Sequence, residues 1–206
     1  MKAIIGKKLE MTQVFKDDGT VVPVTLVQTG PCTVLEIREH DSKKKAVVGF
    51  GTKKHTAKPQ LCAWGVEKGF AFVCEFILPD GSEIKVGDTL NVTDFLPGDL
   101  VNAIGESKGK GFQGVVKRHG FHGSPKTHGH KDQLRMPGSI GAGGVQHVFK
   151  GTRMGGRMGG DRVTVKNLEI VNVNDKDGIL AVKGAVPGCR GSFIQLIGTQ
   201  GNVWQK

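Results

Sequence analysis

Four histidines lie close together in the middle of this chain and are its first candidates for chemistry. His119, His122, His128 and His130 fall within twelve residues, and imidazole is the commonest metal ligand in proteins. Structural zinc sites usually include thiolates, and no cysteine lies in this segment. The surrounding Lys and Arg side chains also disfavour a divalent cation. We therefore predict no metal site here and favour contact with RNA, by stacking or by hydrogen bonds to phosphate and 2′-hydroxyl groups.

A GxGxxG pattern just before the histidines is the second candidate. Gly109, Gly111 and Gly114 have the spacing of a dinucleotide-binding fingerprint. That fingerprint needs a buried strand directly before it and a βαβ unit around it, whereas Gly105-Glu106-Ser107-Lys108 precedes it here. Glycines of this kind also let a backbone approach a phosphate chain closely and donate N–H groups to it. The context favours this second use.

The remaining candidates for catalysis are weak. Cys189 stands beside Arg190, which can lower the pKa of a thiol, but the sequence PGCRGS around them is typical of a turn. Asn174 to Gly178 (NDKDG) resembles the start of a calcium loop and lacks its distal acidic ligand, so we predict a hairpin turn. The four cysteines form no CxxC pair, which favours reduced, apolar packing in a cytosolic protein. We predict no enzyme active site and no cofactor.

Residues 108 to 166 carry the positive charge of the whole chain. They contain twelve Lys and Arg against two Asp, a net charge of +10, whereas the remainder has 17 cations and 17 anions. They also contain five of the seven histidines and 15 of the 32 glycines. Such a segment buries no core of its own and needs a polyanion to neutralise it. This pattern indicates nucleic-acid binding.

A membrane surface is the other polyanion that a basic chain with pI near 9.6 fits. No apolar run reaches the ~18 to 20 residues of a spanning helix. The basic segment contains too much glycine to form an amphipathic helix on a membrane surface. The start, MKAIIGKKLEMTQVF, has no long apolar core followed by a cleavage site, so we predict no signal peptide. We expect no membrane partner and no small-molecule substrate.

The elements that must position these residues are mainly β-strands. Short apolar or alternating runs separated by turn residues predict strands at Thr20–Gln28, Thr33–Arg38, Ala46–Phe50, Ala71–Leu78, Ile84–Val92, Val163–Val173, Ile179–Val182 and Ser192–Ile197. Turns are predicted at Asp17–Gly19, at the lysine triplet Lys43–Lys45, at Pro79–Gly81 and, within Ile84–Val92, at Gly87-Asp88. Thr56–Lys68 is the best candidate for a short helix. The pattern predicts a mainly β fold with little helix.

We expect these strands to form a small closed β-barrel body with a long basic, Gly-rich loop extension. Residues 1–107 are the first part of the barrel, residues 108–162 the extension, and residues 163–206 the second part. A loop of that length inside a compact domain is uncommon, and its composition suggests that a partner orders it. Phe112, Phe121 and Phe149 within it stack on bases or anchor the loop, and the sequence favours neither role.

Several separate motifs resemble one known family, the universal third protein of the large ribosomal subunit. The family's signature matches Phe95, Asn102, Gly105 or its neighbour Ala103, Ser107, Gly109, Lys110, Gly111, Gly114 and Arg118. Further similar runs are Gly6–Phe15, Gly138–Gly141, Val148–Gly151, Arg162–Val165 and Val182–Gly188. The resemblance covers nearly the whole chain. The short length and the N-terminus of the chain resemble the bacterial members of the family.

The resemblance implies a structural constituent of the cytoplasmic ribosome that binds large-subunit rRNA near its 3′ end and acts early in assembly. It also implies that the loop reaches toward the peptidyl transferase centre and that the protein touches neighbouring ribosomal proteins. The predicted rRNA-binding residues are Lys108, Lys110, Phe112, Lys117, Arg118, His119, His122, Lys126, His128, His130, Lys131, Arg135, His147, Lys150, Arg153, Arg157 and Arg162. An enzyme with a basic lid and a free-standing nucleic-acid chaperone remain as alternatives.

The chain departs from its bacterial relatives between Gly141 and Val148. Those relatives usually carry a polar stretch with a Pro-Gly step, and this chain has AGGVQH instead. Some relatives carry a methylated glutamine directly after the SIG motif, where Ala142 stands here. We therefore expect no such modification at this position, and Gln146 does not substitute for it position by position.

Overall fold

The structure is a computed structural model that describes residues 2–40, 43–79 and 84–199. It divides into two compact units, which we call the body (Met1–Glu106 with Arg162–Lys206) and the basic unit (Ser107–Asp161). The strands of the body are β1 Ala3–Phe15, β2 Val21–Gln28, β3 Cys32–His40, β4 Lys43–Lys53, β5 Gly69–Ile77, β6 Thr89–Leu90, β7 Leu100–Glu106, β10 Arg162–Asn174, β11 Ile179–Lys183 and β12 Phe193–Gly198. The body also contains helix α1 Lys58–Trp64 and a 3-10 helix Val92–Asp94, and the basic unit contains β8 Phe112–Gln113, α2 Val115–His119 and β9 Gly156–Arg157. The prediction of a mainly β chain with little helix is confirmed.

Six strands of the body form a closed barrel in the order β1-β12-β7-β10-β11-β2. Every neighbouring pair is antiparallel, and β7 and β10 are neighbours that flank the basic unit in sequence. The turn between β1 and β2 was predicted from Asp17–Gly19. Gly19 there has a φ of +79°, and the Asp18 carboxylate accepts a hydrogen bond from the Thr20 N–H at 2.8 Å.

The other strands of the body form a separate four-stranded sheet in the order β5-β4-β3-β6. The expectation that all strands belong to one barrel is therefore corrected. The lysine triplet Lys43–Lys45, predicted as a turn, begins β4, where Lys44 lies opposite Glu39 and Lys45 opposite Arg38 on β3. The Lys44 and Glu39 pair has opposite charges, which is favourable across a strand pair, and Lys43 and Lys44 are exposed, so their charges remain hydrated. The triplet therefore does not end the strand, although Lys45 lies opposite the like-charged Arg38.

The turn predicted at Gly87-Asp88 within Ile84–Val92 is confirmed, since the Asp88 N–H donates to the Lys85 carbonyl at 3.2 Å. The strand there is shorter than predicted and covers only Thr89–Leu90, which pairs with β3. Gly87 has a φ of +94°, and the Asp88 carboxylate accepts a hydrogen bond from the Lys85 N–H at 2.8 Å. The turn predicted at Pro79–Gly81 lies largely outside the described residues.

One apolar core joins the barrel and the four-stranded sheet. It contains Ile5 and Val27 from the barrel together with Val34, Val48 and Phe76 from the sheet. The largest fully buried side chains of the described residues are all Ile, Leu or Val, which are residues that favour strands and pack well on a pleated surface. Across residues 2–40, 43–79 and 84–199, no helix has the length and apolar character needed to cross a bilayer.

Candidate nucleic-acid interface

The basic unit begins and ends in a two-stranded antiparallel ribbon. The Ser107 N–H donates to the Asp161 carbonyl at 2.9 Å, the Lys110 N–H to the Met158 carbonyl at 2.9 Å, and the Met158 N–H to the Gly111 carbonyl at 3.0 Å. In β8 and β9, Phe112 pairs with Arg157. The ribbon places the predicted residues Lys108, Lys110 and Arg157 on two adjacent backbone segments.

Helix α2 is held against a distant part of the basic unit by two of its own side chains. The Met154 carbonyl oxygen accepts a hydrogen bond from Arg118 Nη1 at 2.9 Å, and His119 Nε2 also lies 2.9 Å from it. The helix ends at Gly120, which takes the left-handed conformation with a φ of 73°. Two predicted RNA-binding residues, Arg118 and His119, therefore also maintain the shape of the unit.

A backbone contact closes a loop that carries four of the predicted residues. The Ser124 N–H donates to the Leu134 carbonyl at 3.0 Å, and the intervening residues include Lys126, His128 and Lys131. His128 has a positive φ of 64°, a conformation that few side chains other than Gly, Asn, Asp or His adopt. The loop has a defined backbone although its side chains are solvated.

The basic unit has almost no core. Among residues 107–161, all of which the structure describes, Val115 is the only buried one. A 55-residue segment with one buried side chain cannot offset the entropy of ordering its backbone. Burial within the unit therefore contributes little to its stability.

The cations of the basic unit are exposed and have no acidic partners among the described residues. All ten of its Lys and Arg residues are exposed, against two Asp, which gives this unit a net charge of +8. None of the ion pairs found within residues 2–40, 43–79 and 84–199 involves any of these ten. In the body, by contrast, Arg38 contacts Glu36 and Glu75, each at 2.8 Å. Unpaired cations on a surface without a core are the arrangement that phosphate groups neutralise.

The other predicted residues lie in irregular backbone, on α2 or in the first position of β10. His122, Arg135, His147, Lys150 and Arg153 are exposed, and His130 is partly buried. Lys117 is exposed on α2. Arg162 lies in the body, at the start of β10, opposite Glu106 on β7.

The aromatic side chains of the basic unit differ in exposure. Phe112 is 80% exposed and Phe149 is 57% exposed, so neither anchors the unit to itself by burial. Phe121 is partly buried, and its ring centroid lies 6.1 Å from that of His119. The His147 and Phe149 rings make an edge contact with centroids 5.7 Å apart. These rings offer flat surfaces for stacking next to cationic side chains.

The other candidate sites have structural explanations. In the described part of the chain, no three His, Cys, Asp or Glu side chains are grouped to hold a metal ion. Gly109 and Gly111 lie in an antiparallel ribbon instead of a βαβ unit. Arg190 contacts Glu10 at 3.0 Å, and the Cys189 carbonyl accepts a hydrogen bond from the Ser192 hydroxyl at 2.7 Å. The turn predicted at Asn174–Gly178 is confirmed between β10 and β11.

The cysteines of the chain are free thiols. Cys62 and Cys189 are exposed, Cys74 is partly buried, and Cys32 is buried. Burial raises the pKa of the Cys32 thiol to about 11, because the charged thiolate loses its hydration. Cys32 therefore packs as a small apolar side chain.

Sequence reasoning from charge missed several residues that shape the basic unit. Ser107 accepts a hydrogen bond from the Asp161 N–H through its hydroxyl at 3.2 Å, and the Gln113 side chain donates to the Lys110 carbonyl. Met136 and Ile140 line a cavity together with His119 and Phe121. These residues are uncharged, so the charge pattern of the segment does not point to them. Their roles depend on contacts with the ribbon and α2 that exist only in the folded chain.

Comparison with known proteins identifies close relatives. The model of the family described as Ribosomal protein L3 matches residues 82–185. The chain is 46% identical over 202 residues to the large ribosomal subunit protein uL3 of Roseiflexus sp., covering 95% of this chain and 96% of that protein. It is 43% identical over 206 residues to the protein of the same name from Chlorobium limicola, covering 96% and 98% of the two chains. The corresponding protein of Solibacter usitatus is 46% identical over 201 residues, covering 93% and 95%.

Proposed function

This chain belongs to the ribosomal protein L3 family, and from that premise we propose that it is a structural component of the large ribosomal subunit that binds ribosomal RNA through its basic unit. The family is a structural and non-enzymatic part of the ribosome, and the relatives are named as large-subunit proteins. In this role the chain is located in the cytoplasmic ribosome. The partners of the chain are large-subunit rRNA and the neighbouring ribosomal proteins.

The observation that carries the RNA contact is the set of ten exposed Lys and Arg side chains in the basic unit. They have no acidic partner among the described residues, and the unit that presents them buries only Val115. Each phosphate that such a cation neutralises releases condensed counterions, which favours binding and makes it dependent on salt. Phosphate contacts hold the protein in position without reading sequence.

Ordering of the basic unit and RNA binding are one event in this proposal. Hydrogen bonds give the ribbon, α2 and the 124–134 loop a defined backbone, whereas only Val115 of the unit is buried. A segment with this composition is disordered when free and folds on its partner. The predicted residues from Lys108 to Arg162 then become phosphate and base contacts of the assembled particle.

The finer placement of the protein follows from the family resemblance. We propose binding near the 3′ end of the large-subunit rRNA, a role early in subunit assembly, and a basic unit that reaches toward the peptidyl transferase centre without joining its chemistry.

Incorporation into particles tests the proposal. A tagged chain is compared with a variant in which Lys126, Lys131, Arg135, Lys150 and Arg153 are all Gln, and with a control carrying Lys54→Gln and Lys58→Gln in the body, where both lysines are exposed. The wild type and the control are expected to sediment with large subunits after a high-salt wash, and the five-Gln variant to be depleted. A wild-type chain that remains free of the particles would contradict the ribosomal role and favour a free-standing chaperone.

A further inference from the structure

A cavity of about 850 Å³ lies within the basic unit. Two stretches line most of it, one at the end of α2 from His119 to Ser124 and one from Gln133 to Ile140, and Arg153 completes the lining. The volume falls in the range of about 300 to 1,000 Å³ that is typical of sites for small molecules. A unit with one buried side chain thus contains a concave surface of the size of a ligand site.

Hydrogen bonds to the backbone hold the walls of this cavity together. The Ser124 N–H donates to the Leu134 carbonyl at 3.0 Å and joins the two main stretches. Arg118 and His119 both contact the Met154 carbonyl at 2.9 Å. Met154 follows Arg153 in the sequence, so these contacts hold the end of α2 close to Arg153. The cavity is therefore defined by specific contacts between distant parts of the sequence.

The lining combines flat apolar surface, hydrogen-bonding groups and a positive charge. Phe121, Met136 and Ile140 supply the apolar surface, and the His122 and Gln133 side chains supply donors and acceptors. Arg153 is exposed and has a guanidinium suited to phosphate. No Asp or Glu lines the cavity, so nothing in it repels an anion.

We infer that this cavity receives one unstacked nucleotide of RNA, with its base against Phe121 and its phosphate near Arg153. Sequence-specific proteins read RNA mostly at loops and bulges, where a base leaves the stack and packs on an aromatic or Arg side chain. The inference rests on the proposed function and adds a base contact to a unit otherwise understood through phosphate contacts. A base held here would also fix the register of the basic unit on its RNA.

The test compares Phe121→Ala with Val148→Ala in the full-length protein, using purified large-subunit rRNA as the probe. Val148 belongs to the same unit, is 41% exposed, has no ring to stack on a base and does not line the cavity. Loss of a stacked base weakens binding about five- to hundredfold. We expect that loss for Phe121→Ala without a change in the slope of affinity against salt, because no phosphate contact is removed.

Chemical probing of the bases in the same complexes supplies the second reading. Wild-type protein is expected to protect a small group of single-stranded bases that become reactive again with Phe121→Ala and stay protected with Val148→Ala. Ile140→Trp, which fills the cavity from its other wall, is expected to expose the same bases, so the test does not depend on one variant folding correctly.

Two results separate the cavity from the wider proposal. If Phe121→Ala and Ile140→Trp bind as Val148→Ala does and no base changes its reactivity, the nucleotide site is wrong, while a steep salt dependence still supports RNA binding by the basic unit. If the wild-type protein shows no affinity for rRNA at any salt concentration, the proposed function fails and the nucleotide site fails with it.

Discussion

Glycine serves two different purposes in the basic unit. At Gly159, φ is +75° and a Cβ would collide with the Lys108 carbonyl oxygen, so the ribbon itself requires glycine there. At Gly109, φ is not positive and a Cβ would meet nothing within 4 Å. The fold therefore gives no reason for glycine at Gly109, whereas a partner approaching the backbone closely does.

Alanine substitutions separate these two purposes. Gly159→Ala is expected to disrupt the ribbon through backbone strain of about 1 to 3 kcal/mol, and Gly109→Ala to leave it intact but weaken rRNA binding severalfold. Amide hydrogen exchange at Lys110 and Met158 in the rRNA complex measures the ribbon, and a binding titration measures affinity. Unchanged affinity for Gly109→Ala would show that no partner approaches that backbone.

The elements of the body show which parts of the fold local sequence can predict. The strands around Val21–Gln28, Gly69–Ile77 and Ile179–Lys183 were predicted because apolar residues recur in short runs between turn residues. β1 and β7 were not predicted as strands, although both belong to the barrel. In β1 the apolar pattern breaks at Lys7-Lys8, and a register shift follows between Lys8 and Met11.

The break in β1 is explained by a buried lysine. Lys8 is 9% exposed, and its ammonium group donates to the Val186 carbonyl at 2.7 Å and to the Gly188 carbonyl at 3.2 Å. These carbonyls belong to residues 178 or more positions away in sequence, so the contact exists only in the folded chain. No local pattern predicts it.

Replacing the buried lysine tests its role in the barrel. Lys8→Ala is expected to lower the free energy of unfolding by about 1 to 3 kcal/mol, because buried carbonyls lose a charged donor. Lys7→Ala is the matched control, since Lys7 is exposed and surface changes usually stay within about 0.5 kcal/mol. Urea unfolding of both variants measures the difference, and equal midpoints would contradict a structural role for Lys8.

At the scale of the whole molecule, the apolar core and the positive charge lie in different parts of the chain. The core lies in the body, whereas the net charge of the basic unit is +8 and Val115 alone is buried there. The composition of the sequence predicts a basic segment apart from the apolar flanks, and a polyanion as its partner. It was not enough to predict the second sheet, the ribbon or the cavity, because these depend on contacts between distant residues.

A deletion tests whether the body folds independently. Removing residues 120–155 leaves the ribbon contacts of Ser107, Lys110 and Phe112 in place and takes away no residue of the core. We expect the variant to keep its β-sheet circular dichroism and a cooperative thermal transition, and to assemble poorly into subunits. An unfolded variant would contradict the separation of the two units.

The most direct test of RNA binding by the basic unit is a titration of purified large-subunit rRNA over a series of salt concentrations, with full-length protein and with this deletion. The deletion removes five of the ten Lys and Arg residues of the basic unit, and each phosphate contact contributes about 0.7 to 0.9 to the slope of log affinity against log salt. Tight binding with a steep slope for the full-length protein, and a slope lower by up to about 4 for the deletion, is the predicted result. Weak and equal binding by both proteins would place the RNA contact elsewhere and contradict the account.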